Sequence, residues 1–269
     1  MIIGKEKRLK RIYNGNDNIV ILPMDHGFTE GPIDGLQNIG VTLAKIVECN
    51  CVDSVILHRG AIINNYDILS KQNLGLIMHL SGSTSLYGRG LHKIQTATVD
   101  EAISLGCDAV SVHVNLGNEY EASMLEDMGR VAEECDRKGM PLVAMVYVRG
   151  DEIDNGREVA YLKRAVRVAD EIGADIVKVN YCMEGEDFSE VVNSCQIPVV
   201  IAGGEQTDMI SILKLVEDSM KAGAKGISIG RNIFQSRNYK ELLNGINRIV
   251  HNHESVSHIL KKSNLYNIV

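Results

Sequence analysis

One lysine sits where a lysine should not. The run Ile176-Val177-Lys178-Val179 is apolar and β-branched on either side of an amine. Burying an unpaired ammonium is costly, so a lysine there needs a partner or a purpose. Burial favours the free amine, and a free amine attacks carbonyls to form a Schiff base. The resulting iminium withdraws electrons, so carbon–carbon bonds β to it can form or break. The other reading is a lysine that snorkels to a rim or pairs with a carboxylate. Such chemistry also needs groups that move protons. Tyr147, near the end of the apolar stretch 141–148, could act as an acid, and Asp25, in Pro23-Met24-Asp25-His26-Gly27, as a base or a hydroxyl anchor. Their structural alternatives are a rim tyrosine over the core and a helix cap.

Gly203-Gly204 and Gly230-Arg231 form a second constellation. Glycines let backbone N–H groups approach an anion, a helix N-terminus adds positive potential, and a guanidinium offers a bidentate contact. A phosphate fits that set, and ordinary turns are its alternative. His26, His58, His79 and His113 all fall at predicted strand ends. They suit a divalent metal or the orientation of substrate. The first strand has no H-x-H and the chain no H-E-x-x-H, which favours orientation and no metal. Asp25 and His26 are predicted to point to opposite sides if the strand stays regular there. His251 and His253 read as surface residues.

The elements that must position these groups follow from one repeated pattern. A glycine closing a helix precedes a small or polar residue and then an apolar run, as in Gly106-Cys107-Asp108, Gly173-Ala174-Asp175 and Gly223-Ala224-Lys225-Gly226. Eight strands are predicted to begin near Asn18, Asp53, Leu74, Asp108, Pro141, Asp175, Ile197 and Gly226. Amphipathic helices are predicted over 121–137, 157–172 and 211–222. Little room remains for a full helix between the second and third strands. Eight βα units without a Pro- or Ser-rich linker predict an α/β fold, a single (β/α)8 TIM barrel over residues 1–269. It would carry a short N-terminal lead-in and a helical tail, 251–269, with a frayed end. A doubly wound sheet is the competitor, but no G-x-G-x-x-G follows the first strand. In such barrels chemistry gathers at the C-terminal ends of the strands, which is where each residue above is predicted to fall.

Composition narrows the class further. The 269 residues are 45% hydrophobic with a formal net charge of −7, enough to bury a core and poorly suited to broad nucleic-acid binding. The aromatic content is 4% with no Trp, so stacking platforms are not expected to dominate. The six cysteines form no C-x-x-C pair and read as reduced thiols. No run is long and apolar enough for a membrane span, and the first residues are charged. A cytoplasmic protein is expected.

On these residues the chain resembles the archaeal-type class I aldolases, a family that includes a fructose-1,6-bisphosphate aldolase and a heptulosonate synthase. The resemblance rests on Pro23-Met24-Asp25-His26-Gly27 with Gly31-Pro32, His79-Leu80-Ser81-Gly82, His113-Val114-Asn115 and Tyr147-x-Arg149-Gly150. It extends to Ala174-Asp175-Ile176-Val177-Lys178, Ala202-Gly203-Gly204 and Gly230-Arg231-Asn232-Ile233-Phe234-Gln235. It implies Lys178 as the Schiff-base lysine, Tyr147 as proton donor and Asp25 as proton acceptor. Substrate contacts would come from His26, Gly27, Phe28, Thr29, Val148 and Arg149, and phosphate contacts from Gly203, Gly204, Gly230 and Arg231. It further implies no metal or other cofactor, a phosphorylated ketose donor, a small aldehyde acceptor and a homo-oligomer, often a decamer. The wording of the first and third strands is nearer the heptulosonate synthase branch, whose reaction moves a three-carbon fragment onto L-aspartate semialdehyde. A non-catalytic sugar-phosphate-binding protein is the alternative outside enzymes. Two positions depart from the family habit of proline, Val148 and Glu205.

Overall fold

Strands buried on both faces have nowhere to end a sheet, and here the sheet closes on itself. The computed structural model describes residues 3–70, 73–86 and 90–262. Its barrel strands are β1 (Ile19–Pro23), β2 (Ser54–Leu57), β3 (Gly75–His79), β4 (Ala109–Leu116), β5 (Leu142–Val148), β6 (Ile176–Val179), β7 (Val199–Ala202) and β8 (Gly226–Ser228). They run parallel, each beside its chain neighbour, with β8 closing onto β1. This is the (β/α)8 barrel read from the sequence, with strand starts within two residues of those predicted.

The helices are α1 (Ile3–Ile12), α2 (His26–Glu30), α3 (Ile39–Glu48), α4 (Arg59–Asn64), α5 (Tyr66–Leu69), α6 (Val99–Ser104), α7 (Glu121–Lys138), α8 (Val159–Ile172), α9 (Ser189–Val192), α10 (Met209–Lys221), α11 (Arg231–Phe234), α12 (Tyr239–Asn252) and α13 (Val256–Lys262). The gap between β2 and β3 holds only the short α4 and α5. Helices α7 and α8 end on Gly139 and Gly173, both left-handed, at φ 63° and 100°. None of the described helices is long and apolar enough to cross a membrane. The frayed end predicted after the tail helix lies outside the described residues.

The period-two pleat sorts the core into two. Ile19, Ile21, Ile56, Ile77, Ala109, Val143, Met145, Ile176 and Val200 fill the barrel interior. Alternate residues such as Val20, Leu22, Val110, Ala144 and Val177 pack outward under the helices. Lys178 pairs in register with Met145 of β5 and Val200 of β7, both interior residues, so the pleat turns it inward.

The lead-in is itself helical. Helix α1 closes the lower end of the barrel and inserts Ile12 into the interior cluster. A Cβ on Gly75 would lie 2.6 Å from Ile12 Cα, so only glycine admits that approach. Three aspartates lock the same end. Each precedes an even strand and accepts from a backbone N–H at the start of the odd strand before it: Asp53 from Val20 at 2.7 Å, Asp108 from Leu76 at 3.2 Å, Asp175 from Leu142 at 2.8 Å. Each also meets a cation or an imidazole: His251 at 3.0 Å from Asp53, Arg11 at 3.1 Å from Asp108, Lys5 at 2.9 Å from Asp175. His251 is therefore a structural residue tucked beside Asp53, correcting its surface reading, whereas His253 is exposed at the end of α12.

Asp175→Ala leaves the Leu142 N–H without its side-chain acceptor and removes one of two carboxylates around the buried Lys5 ammonium, the other being Asp136 at 2.6 Å. Urea unfolding is expected to show a loss of about 2–3 kcal/mol.

Candidate active site

Above the apolar layers the inward positions turn polar. In chain order they carry Asp25, His58, His79, Ser111 and His113, Tyr147 and Arg149, Lys178 and Asn180, and Ser228. They enclose two adjoining chambers. The outer one, about 280 Å³, is lined among others by Lys178, Tyr147, Gly203, Gly204, Gly230 and Arg231. The inner one, about 150 Å³, is lined among others by Asp25, Thr29, His79, Lys93, His113 and Lys178. Lys178, Tyr147, His26, Arg149 and Arg231 belong to both walls. Lys178 is 5% exposed, and among the described residues no carboxylate lies within 4 Å of its amine. It neither snorkels nor forms an ion pair.

The outer chamber is shaped by close approaches that only glycine permits. A Cβ on Gly203 would sit 2.6 Å from Ile229 Cγ2, and one on Gly230 would meet His26 Cε1 at 2.6 Å and Pro23 O at 2.7 Å. Gly204 takes φ 66°. Asn232 fixes this loop: its Nδ2 donates to the carbonyls of Gly203 and Glu205, and its Oδ1 accepts from Thr207 N–H. The exposed Glu205 stands on the same wall. Arg231 opens α11, whose N-cap is Gly230. Arg157 also lines this chamber, and its guanidinium donates to the carbonyls of Tyr181 and Cys182 after β6.

In the inner chamber β1 stops at Pro23 and the chain turns directly into α2. Asp25 occupies the N-cap position yet makes no side-chain cap. Instead its carboxylate lies 3.7 Å from His26 Nδ1 and 3.7 Å from His79 Nε2. The expectation that Asp25 and His26 diverge is thus corrected: with the strand ended, both side chains face this chamber. His79 Nδ1 is 2.8 Å from Ser111 Oγ, and His113 Nε2 is 2.9 Å from Asn115 Oδ1. Burial works to raise the Asp25 carboxyl, but His79, His26, Lys178 and His58 outweigh it and hold Asp25 well below the usual carboxylate range. Burial pushes His79 down to about 3, and His26, His58 and His113 also down. At neutral pH the four imidazoles are therefore neutral hydrogen-bonding groups around one carboxylate. Among the described residues no group of three His, Cys, Asp or Glu converges as a metal site.

Tyr147 is 8% exposed, with the His113 ring centroid at 4.9 Å and the Arg149 guanidinium 4.5 Å above its own ring. The structure does not gather every residue named from the sequence. Val148 is turned by the pleat into the outer core. Gly27 and Phe28 line a neighbouring hollow beside Ile39 of α3, with the Phe28 and His58 ring centroids 4.7 Å apart and the rings tilted by 33°. Thr29 does reach the inner chamber.

Lys93 was not foreseen. It follows a stretch with no periodicity, and only a tertiary feature delivers it. Ser81–Gly82 forms a short antiparallel ladder with Ile94–Gln95 over the barrel mouth. Asn115 Nδ2 donates to Leu91 O at 2.8 Å and anchors the approach. Lys93 is 7% exposed, with Thr29 Oγ1 at 3.4 Å from its ammonium. Burial first, then the Arg149 charge, push it down to about 8.

Residues 19–236 match the DeoC/LacD family aldolase pattern. The chain is 39% identical over 260 residues to 2-amino-3,7-dideoxy-D-threo-hept-6-ulosonate synthase 1 of Archaeoglobus fulgidus, covering 97% of this chain and 96% of that protein. It is 36% identical to 2-amino-4,5-dihydroxy-6-oxo-7-(phosphonooxy)heptanoate synthase of Streptomyces griseus, covering 93% and 91%. A solved archaeal fructose-1,6-bisphosphate aldolase, with its catalytic lysine bound to the carbinolamine intermediate of the substrate, superposes with a TM-score of 0.84. It is 29% identical and covers 92% of this chain and 99% of that one.

A lysine at about 8 when folded and 10.5 when free is penalised for its charge below pH 8, and the penalty fades as pH rises from 8 towards 10.5. Lys93→Met is therefore expected to stabilise the protein at pH 7 by about 1–3 kcal/mol, with the gain shrinking at pH 10. Thermal unfolding of both proteins at the two pH values measures this.

Proposed function

The chain belongs to the DeoC/LacD aldolase family, and from that premise we propose that Lys178 is the amine through which it makes and breaks carbon–carbon bonds. The observation that carries the proposal is the buried Lys178 with no carboxylate neighbour, on the wall shared by the two chambers. Its amine attacks the ketone of a donor to give a carbinolamine. Loss of water leaves an iminium. The bond between the carbons α and β to the iminium carbon then breaks, its electron pair passing to the iminium, which releases one aldehyde and leaves an enamine of three carbons on the lysine. The enamine carbon attacks a second aldehyde, and water returns the amine and the new ketone. Tyr147 supplies and withdraws the proton of the departing carbinolamine hydroxyl. Asp25, ionised among neutral imidazoles, takes the proton from the hydroxyl next to the breaking bond. Arg231 and the backbone of Gly203, Gly204 and Gly230 hold a donor phosphate.

For substrate, the relatives' names are informative. Both describe a seven-carbon 2-amino acid with a ketone at carbon 6. Such a product is a three-carbon ketone fragment joined to a four-carbon amino acid aldehyde. We read this chain as the heptulosonate synthase type, transferring that fragment from a deoxy-diketohexose phosphate onto L-aspartate semialdehyde, an alternative route to 3-dehydroquinate. Cleavage of fructose 1,6-bisphosphate is the second reading, favoured by the backbone match to the archaeal aldolase.

Incubation with dihydroxyacetone phosphate and borohydride, followed by intact-mass and peptide analysis, is expected to find the reduced adduct on Lys178. An unmodified lysine together with activity lost to a chelator overturns the proposal. Lys178→Ala is expected to abolish turnover while phosphate binding persists. Tyr147→Phe keeps the ring and is expected to lower kcat about 100-fold or more.

A further inference from the structure

The Lys93 ammonium is a buried cation with no carboxylate within 4 Å among the described residues. Thr29 Oγ1, 3.4 Å away, is a hydroxyl, and the Asp25 and Glu30 carboxylates act on the charge only from beyond ion-pair distance. A protein holds a charge in that state at a cost unless a partner arrives with the ligand. The chamber it lines also contains Arg149, and on its rim Glu30, whose carboxylate lies 3.7 Å from Arg231. Cations and an acid within one small volume complement a zwitterion. They suit a phosphate dianion poorly, because Asp25 and Glu30 would oppose it. The Gly203-Gly204 loop and Gly230, whose backbone can approach a phosphate, lie in the other chamber. The inner chamber therefore has the chemistry of an α-amino acid site, and its wall reaches Lys178.

We propose that Lys93, with Arg149, binds the carboxylate of an amino acid aldehyde acceptor in the inner chamber, and that Glu30 faces its ammonium. The inference rests on the aldolase reading above and deepens it, assigning the second substrate to a named set of side chains. In the seven-carbon products named for the relatives, the new bond joins carbons 4 and 5 and the carboxylate is carbon 1. The anchor must then lie a short carbon chain away from the reacting amine and, where the fragment itself bears the phosphate, as in the 7-phosphonooxy product, on the side opposite that phosphate. Lys93 and the Gly203-Gly204 loop line opposite members of the chamber pair, with Lys178 between them.

The test compares L-aspartate 4-semialdehyde with butanal, which has the same chain length and no charge, as acceptors for whichever donor traps on wild-type Lys178. Lys93→Met is expected to lower the ratio of kcat/KM for the charged over the uncharged acceptor about 10- to 100-fold, the worth of a hydrogen bond to a charged group. Lys93→Arg is expected to recover most of it. An unchanged ratio overturns the proposal. So does a fall confined to D-glyceraldehyde 3-phosphate, which makes the chamber a phosphate site. Calorimetric binding of L-homoserine, an unreactive four-carbon amino acid, needs no turnover and should weaken by a similar factor in Lys93→Met, and equal binding in the two proteins overturns the assignment. If no donor traps on wild-type Lys178, the aldolase reading fails by itself, while the homoserine result still decides the chamber.

Discussion

The pleat of a parallel strand leaves a side chain two destinations, and for Lys178 the inward one was taken. That single geometric fact sets the problem that the upper half of the barrel has to solve. The Lys178 side chain, turned inward beside Met145 and Val200, is 5% exposed and has no carboxylate within 4 Å among the described residues. The groups nearest the amine are consequently of a restricted kind. They are imidazoles, a phenol, the guanidiniums of Arg149 and Arg231, and the carboxylates of Asp25 and Glu30, both beyond contact distance of the lysine. A carboxylate in contact would fix the amine as an ammonium and remove its nucleophilicity. Burial keeps the histidines uncharged, so they stand around Asp25 as neutral groups.

The two ends of the barrel handle charge in opposite ways. At the lower end every buried aspartate is satisfied twice, by a strand N–H and by a basic neighbour from α1 or α12. At the upper end Lys178 and Lys93 are left without acidic contacts. Complete pairing below secures register and closure. Incomplete pairing above leaves groups available to react or to bind. Stability and chemistry are thereby assigned to different faces of the same strands.

Much of this was legible in the residues. Strand starts were readable because four of them, β4, β5, β6 and β8, follow a helix-closing glycine, and the inward position of Lys178 follows from alternation once the strand is placed. Gly203, Gly204, Gly230 and Arg231 do line one cavity with it. Val148 was named from the resemblance, although alternation places it between the inward Tyr147 and Arg149 and so turns it away. Other features were not legible. Alternation could not be carried beyond the strand end to Asp25 and His26, because β1 stops at Pro23 and a helical turn brings both to one side. Lys93 depends on a ladder between residues 81–82 and 94–95, a pairing across a loop that carries no hydrophobic period. The closing of the barrel floor by α1 was equally hidden, since only Ile12 and its contact with Gly75 reveal it.

That floor has a kinetic meaning. Ile12, Ile19, Ile21, Ile56, Ile77 and Ile176 are fully buried and fill the barrel below the amine. In the transfer proposed above, the released aldehyde and its replacement use the same inner chamber in turn, while the fragment joined to Lys178 waits. One chamber serving two aldehydes imposes an order of exchange, and the interval between them sets the exposure of that fragment to water.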